Sequence, residues 1–192
     1  MGRAKLKQSI LILKKIKVNI PNTLSISRVL LLIPIIFFFE FGFYYLSVIT
    51  FIVASITDYL DGYYARKSNQ ASDAGSLLDL LADKLFVSTL LIWMTFNFDS
   101  LIILISSILI ISREISISYL RLFVISHSKT ANEVKSNLLG KFKTTLQMVG
   151  LGFILISPLT SNFIFDISLS LIIFSALISW YSLIRYLNKW IV

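Results

Sequence analysis

Apolar blocks near residues 29–57, 85–111, 115–126, 144–165 and 167–184 leave this chain few folds to choose from. Crossing the hydrocarbon core of a bilayer takes about 20 apolar residues in a helix, and blocks of that size fill most of the sequence. A hydrophobic fraction of 56%, a mean hydropathy of +0.83 and 15% charged residues argue against a soluble domain. The first block is too long for one span and short for two, but Glu40, Phe41 and Gly42 supply a turn in its middle. Two helices fit if the first begins near Asn22 and the second runs on to about Arg66. The remaining helices then take 74–96, 100–125, 138–157 and 164–188. The expectation is an all-α integral membrane protein with six transmembrane helices in one domain, residues 21–192.

Charge sets the orientation. With six spans, the N-terminus, the 66–73 turn, the region from Arg113 to Lys143 and the C-terminus share one side, and every Lys and Arg lies on or toward it. The opposite turns, at Glu40–Phe43, Asn97–Ser100 and Ser157–Asp166, have none. The positive-inside rule makes the basic side cytoplasmic. Residues 1–20 place Leu6, Ile10 and Leu13 among Arg3, Lys5, Lys7, Lys14, Lys15 and Lys17, the pattern of a basic amphipathic helix lying on anionic lipid. The formal charge of +8 is one-sided and juxtamembrane, which argues for lipid and against nucleic acid as its partner. The absence of Cys argues against a disulfide-built outer domain, and no small-residue cleavage site follows the basic segment.

Against this background four aspartates stand out: Asp58, Asp61, Asp79 and Asp83, within DYLDGYYAR and GSLLDLLAD. At about 2.5–3.5 kcal/mol for each charge at a helix centre, four bare carboxylates would cost on the order of 10 kcal/mol, so they are expected to face a wet cavity and to be neutralised by a cation. On helices, Asp58 and Asp61 share a face at i and i+3, and Gly75, Asp79 and Asp83 form a stripe at i, i+4 and i+8. Clustered hard oxygen donors suit Mg²⁺ or Mn²⁺, and a chain with no Cys and one His is poorly equipped for zinc. Gly62 and Ala65 leave room beside the first pair for a ligand to approach the backbone, and Arg66 offers a guanidinium for phosphate. A cation-coupled transporter would also carry carboxylates at membrane depth, but it does not account for Gly62, Ala65 and Arg66.

The pattern D-x2-D-G-x2-A-R-x8-G-x3-D-x3-D, met by Asp58, Asp61, Gly62, Ala65, Arg66, Gly75, Asp79 and Asp83 without departure, resembles the signature of the CDP-alcohol phosphotransferases. NIPNTLSISRV, SREISISYLRL and LGKFKTTLQMVGL extend the likeness, and within the family they are most similar to the bacterial enzymes that make phosphatidylglycerophosphate. The resemblance implies a multi-pass enzyme of the bacterial cell membrane, a homodimer whose termini and active site face the cytoplasm. It implies two divalent ions, Mg²⁺ or Mn²⁺, held by Asp58, Asp61, Asp79 and Asp83, with Asp83 also the general base. Asp58, Gly62, Ala65, Arg66 and Asn22 would contact the CDP moiety of CDP-diacylglycerol. The acceptor implied is sn-glycerol 3-phosphate; a sister enzyme using inositol phosphate or another alcohol stays open on the residues alone.

Basic side chains outside the signature supply candidates for the acceptor phosphate. Arg113 and Arg121, eight residues apart, lie on one stripe of the fourth helix, and Lys135 and Lys141 follow; Arg28 enters from the first helix. Glu114 is placed to orient an arginine. Lys143 is expected to be an anchor that snorkels to headgroups, and His127 a solvated loop residue. The topology is tested by cysteine labelling in a protein with no native thiol: Ser100→Cys and Ser161→Cys should react with an impermeant reagent outside intact cells, and Ser68→Cys and Ser136→Cys should not. External labelling of Ser68→Cys would reverse the orientation.

Overall fold

A computed structural model describes the backbone of residues 20–67, 73–127 and 138–191 and the side chains of residues 23–58, 78–120 and 142–188. Among the described residues six long helices follow one another: α1 (Ile20–Glu40), α2 (Tyr44–Lys67), α3 (Asp73–Phe98), α4 (Leu101–His127), α5 (Leu138–Ile156) and α6 (Asn162–Ile191), with a 3₁₀ turn at Ser157–Leu159. No strand occurs among the described residues. The boundaries lie within a few residues of those expected from the apolar blocks. His127, expected in a loop, closes α4. The proposed interfacial helix in residues 1–20 lies outside the described residues apart from Ile20.

The connections follow local chemistry. Gly42 has φ +78°, its N–H bonds the carbonyl of Phe39 at 3.0 Å, and Phe43 N–H bonds that of Phe38 at 2.7 Å. That pair of bonds, three and five residues back, is a Schellman cap with glycine in the left-handed position, which ends α1 and permits the reversal into α2. Asp99, at φ 42°, makes the corresponding break between α3 and α4; aspartate tolerates that conformation better than most side chains. Pro158 opens the 3₁₀ turn after α5.

The helices are long enough to span, at 19 to 30 residues. Four of them are both long and apolar enough to cross a membrane, over Thr23–Glu40, Leu101–Leu120, Phe142–Leu159 and Asn162–Asn188. In α2 the apolar stretch among the described side chains is Tyr44–Asp58, and the rest of the acidic signature of this helix follows it in the sequence. Helix α3 carries Asp79, Asp83 and Lys84.

The chain divides after Phe86, inside α3, into two compact units. In the first, α1 packs along α2, burying Leu32, Ile35 and Phe39 with Phe51, Ala54, Ala82 and Phe86. The α1 stripe continues backward at the same three- and four-residue spacing into buried Ser25 and Arg28. On the opposite face Ile26, Leu30, Ile33, Phe37 and Phe41 are exposed. A charged group buried behind a broad exposed apolar face departs from the arrangement of a water-soluble protein, and a hydrocarbon surround is the solvent that such a surface fits.

In the second unit α4 and α5 both pack against α6 around Ile110, Ile117, Leu151, Ile154, Leu155 and Ile172. Gly150 sets the α5–α6 approach: a β-carbon built there would lie 2.8 Å from Ile172 Cγ1 and 3.4 Å from Leu171 Cβ. Gly150→Ala should therefore lower stability by about 1–3 kcal/mol through overpacking. At Gly42 nothing lies within 4 Å, so Gly42→Ala should cost only the left-handed backbone, about 1–2 kcal/mol. Thermal melts in detergent check both.

Candidate active site

Three helices of the first unit bring charge together. Asp58 comes from α2, Asp79 and Asp83 from successive turns of α3, and Arg28 from α1, where its side chain is 1% exposed. Arg28 Nη1 lies 2.9 Å from Asp58 Oδ1 and 3.6 Å from Asp79 Oδ1, and it also donates to Asp83 Oδ1. Ser25, one turn before Arg28, donates its hydroxyl to Asp79 Oδ1 at 3.3 Å. The carboxylates themselves are 41–47% exposed. The buried cation thus backs a set of acidic groups that open outward.

One oxygen from each of Asp58, Asp79 and Asp83 lies within 4.8 Å of the others. Opposed ligands of an octahedral Mg²⁺ are about 4.2 Å apart, twice its bond length of about 2.1 Å, so these oxygens are spaced for a shared hard cation. Charge agrees: among the described side chains of this cluster, three carboxylates against one guanidinium leave negative charge in excess. The residues fit a divalent metal, which Asp58, Asp79 and Asp83 would hold.

Asp61, Gly62, Ala65 and Arg66 lie on α2, Gly75 on α3 and Asn22 on α1, but their side chains are outside those described. Arg121 and Lys141 stand likewise on α4 and α5, and Lys135 lies outside the described residues altogether. Arg28, read from sequence as a ligand for the acceptor phosphate, has its guanidinium among the carboxylates. Ser25 was missed; its three-residue spacing from Arg28 on the buried stripe of α1 was the available signal.

The second unit has a charged cluster of its own. Arg113 is buried on α4, its Nε 3.0 Å from the Ser179 carbonyl on α6 and its Nη1 2.9 Å from Glu114 Oε1. Glu114 Oε1 also accepts from Lys143 on α5. Lys143 is 4% exposed, which corrects its reading as a snorkelling anchor: a part-buried carboxylate within reach, Glu114, outweighs the pull of the headgroups. Glu114 does orient an arginine, as expected, and it binds a second cation besides.

The sequence model of the CDP-alcohol phosphatidyltransferase family matches residues 18–184, and the chain belongs to that family. Among its relatives, proteins described as CDP-diacylglycerol–glycerol-3-phosphate 3-phosphatidyltransferase are 36% identical over 179 residues in Haemophilus influenzae and 32% identical over 173 in Salmonella choleraesuis. The matches cover 90% and 88% of this chain and 93% of each relative.

Removing Glu114 would leave two buried cations without their shared carboxylate. Glu114→Gln should lower stability by about 3–5 kcal/mol, and Lys143→Met should cost less because Glu114 keeps Arg113. Denaturation in mild detergent compares them; equal losses would show that Glu114 does not join the two.

Proposed function

We propose that this protein transfers the phosphatidyl group of CDP-diacylglycerol to sn-glycerol 3-phosphate, giving phosphatidylglycerophosphate and CMP. The carrying observation is the convergence of Asp58, Asp79 and Asp83, all members of the family signature, in a chain that matches phosphatidyltransferases of this named activity over about nine-tenths of its length. Attack on a pyrophosphate requires its oxygens to be neutralised and the nucleophile to be deprotonated and held in line. Divalent ions, when bound, supply the charge neutralisation. Asp58, Asp61 and Asp79 would hold them, and Asp83, which would be a further ligand, takes the proton from the acceptor 1-hydroxyl. That oxygen bonds to the phosphatidyl phosphorus as the phosphorus–oxygen bond to CMP breaks.

Gly62, Ala65, Arg66 and Asn22 are assigned to the CDP moiety. Arg113, Arg121, Lys135 and Lys141 are the basic candidates for the acceptor phosphate, and Arg28 meets the charge of the carboxylates first. The six helices are read as six spans with both termini and the active site on the cytoplasmic side. Their lengths and the segregation of Lys and Arg support this.

Purified protein given CDP-diacylglycerol, Mg²⁺ and a panel of labelled alcohols should make lipid product and CMP with glycerol 3-phosphate and stop in excess EDTA. Asp83→Asn should lower turnover by about 10²–10⁴-fold, the usual worth of a general base. Product with a different alcohol and none with glycerol 3-phosphate would reassign the acceptor; full turnover in EDTA would remove the metal from the mechanism.

A further inference from the structure

Two side chains of the second unit are buried with no hydrogen-bond partner among the described residues: the Gln147 amide nitrogen on α5 and the Ser179 hydroxyl on α6. Their residues are 3% and 0% exposed. Leaving a buried donor bare is costly, and such groups are nearly always answered by protein or by ordered water. Ser179 has a local remedy that it does not use. Ser168 and Ser170, earlier in the same helix, give their hydroxyls to carbonyls of the preceding turn. The Ser179 hydroxyl makes no such bond, so it is turned to the helix interface, where its own carbonyl meets Arg113 Nε.

Both groups belong to one polar seam. Gln147 stands one turn beyond Lys143 on the same face of α5, and Ser179 one turn beyond Ser175, whose hydroxyl reaches the Lys143 carbonyl at 3.4 Å. Helices α5 and α6 are antiparallel, since the Lys143 carbonyl meets Ser175 whereas Gly150 meets Leu171 and Ile172. Gln147 and Ser179 therefore lie on opposite sides of the Lys143–Ser175 contact, about 6 Å along the axis each way at 1.5 Å per residue. At that separation each calls for a partner of its own. The charged cluster adjoins both: Lys143 is one turn from Gln147, and Arg113 donates to the Ser179 carbonyl. A partner must accept from the Gln147 amide, fit an interface closed enough to bury both groups, and add no charge to the cluster. Water meets all three conditions.

We infer that the α4–α5–α6 interface holds at least two bound waters, one on the Gln147 amide and one on the Ser179 hydroxyl, and that they hydrate the Arg113–Glu114–Lys143 cluster. The inference goes beyond the phosphatidyltransferase reading and holds whichever alcohol is the acceptor. Ion pairs taken out of bulk water offset their desolvation only where the remaining donors and lone pairs are also bonded. One oxygen of Glu114 serves both Arg113 and Lys143. Water alongside supplies further contacts, so that all three groups stay ionised at membrane depth.

The sign of a stability change separates a wet seam from a dry one. In a dry seam, apolar replacement removes an unanswered donor and leaves the melting temperature unchanged or higher; in a wet one it strands the water and lowers it. Gln147→Met and Ser179→Ala in the full chain, melted in mild detergent, should each lose about 2–8 °C. Ser168→Ala, whose hydroxyl is satisfied within its own helix, should lose less than either. A second measurement uses the wild-type protein alone. A short X-ray pulse converts water to hydroxyl radicals that oxidise the side chains beside them, so bound water marks its neighbours. Leu151 and Leu183, one turn beyond Gln147 and Ser179, are buried like Leu90 on α3, yet they should be oxidised at least fivefold more than Leu90. An unchanged or raised melting temperature in either variant would remove the water assigned to that group, and equal oxidation of the three leucines would overturn the hydration altogether. Where a variant fails to fold, the wild-type oxidation decides.

Discussion

A guanidinium 1% exposed to solvent, inside a protein whose outer surface is hydrocarbon-like, must be matched by negative charge or not be there. Arg28 is matched by Asp58, Asp79 and Asp83, drawn from two other helices. The dependence is mutual, because three carboxylates within a few ångströms repel one another and need a cation at the common centre. This one charge balance fixes the depth of α1, α2 and α3 relative to each other. It also leaves the acidic groups in excess, so that the cluster remains a receptor for further positive charge.

The other polar groups are handled in two ways. Many hydroxyls donate to a carbonyl one turn back in their own helix, as Thr50 does to Leu46, Ser55 to Phe51 and Thr95 to Leu91, which satisfies them without any neighbour. A few reach across and tie helices together: Ser47 to Ile35, Ser175 to the Lys143 carbonyl, and Trp180 Nε1 to Leu109. The second unit thus joins α4, α5 and α6 by directed bonds in addition to the close contact at Gly150. With little hydrophobic force between helices in lipid, such contacts and fitted packing carry the association.

The helices were legible because the features that end them are local. Gly42, Asp99 and Pro158 act through backbone conformation or a missing N–H, and the apolar runs between them have the lengths a bilayer demands. The acidic stripe was legible for a similar reason, since a regular helix converts spacing into a shared face. What lies on a face says less about what it meets. Arg28 was read as a ligand for the acceptor phosphate and Lys143 as an anchor at the headgroups, yet one pairs with three aspartates and the other with Glu114. Those partners are set by which helices adjoin, and no spacing within a single segment encodes that. The Ser25 hydroxyl was overlooked on the same ground, being unremarkable until α3 stands beside it.

The order of synthesis gives the Arg28 arrangement a temporal side. All three carboxylates lie later in the chain than Arg28, the last of them 55 residues on. At about 5–20 residues per second, roughly 3–11 s separate the arginine from Asp83 at the ribosome. During that interval α1 exists without the counter-charges that make its buried position tolerable, whereas Glu114 is made immediately after Arg113 and accompanies it into the membrane. Helix α1 cannot settle to its final depth on its own account. Its buried arginine is balanced only once α2 and α3 have been made, so the step that assembles the acidic centre is also the step that neutralises the first helix.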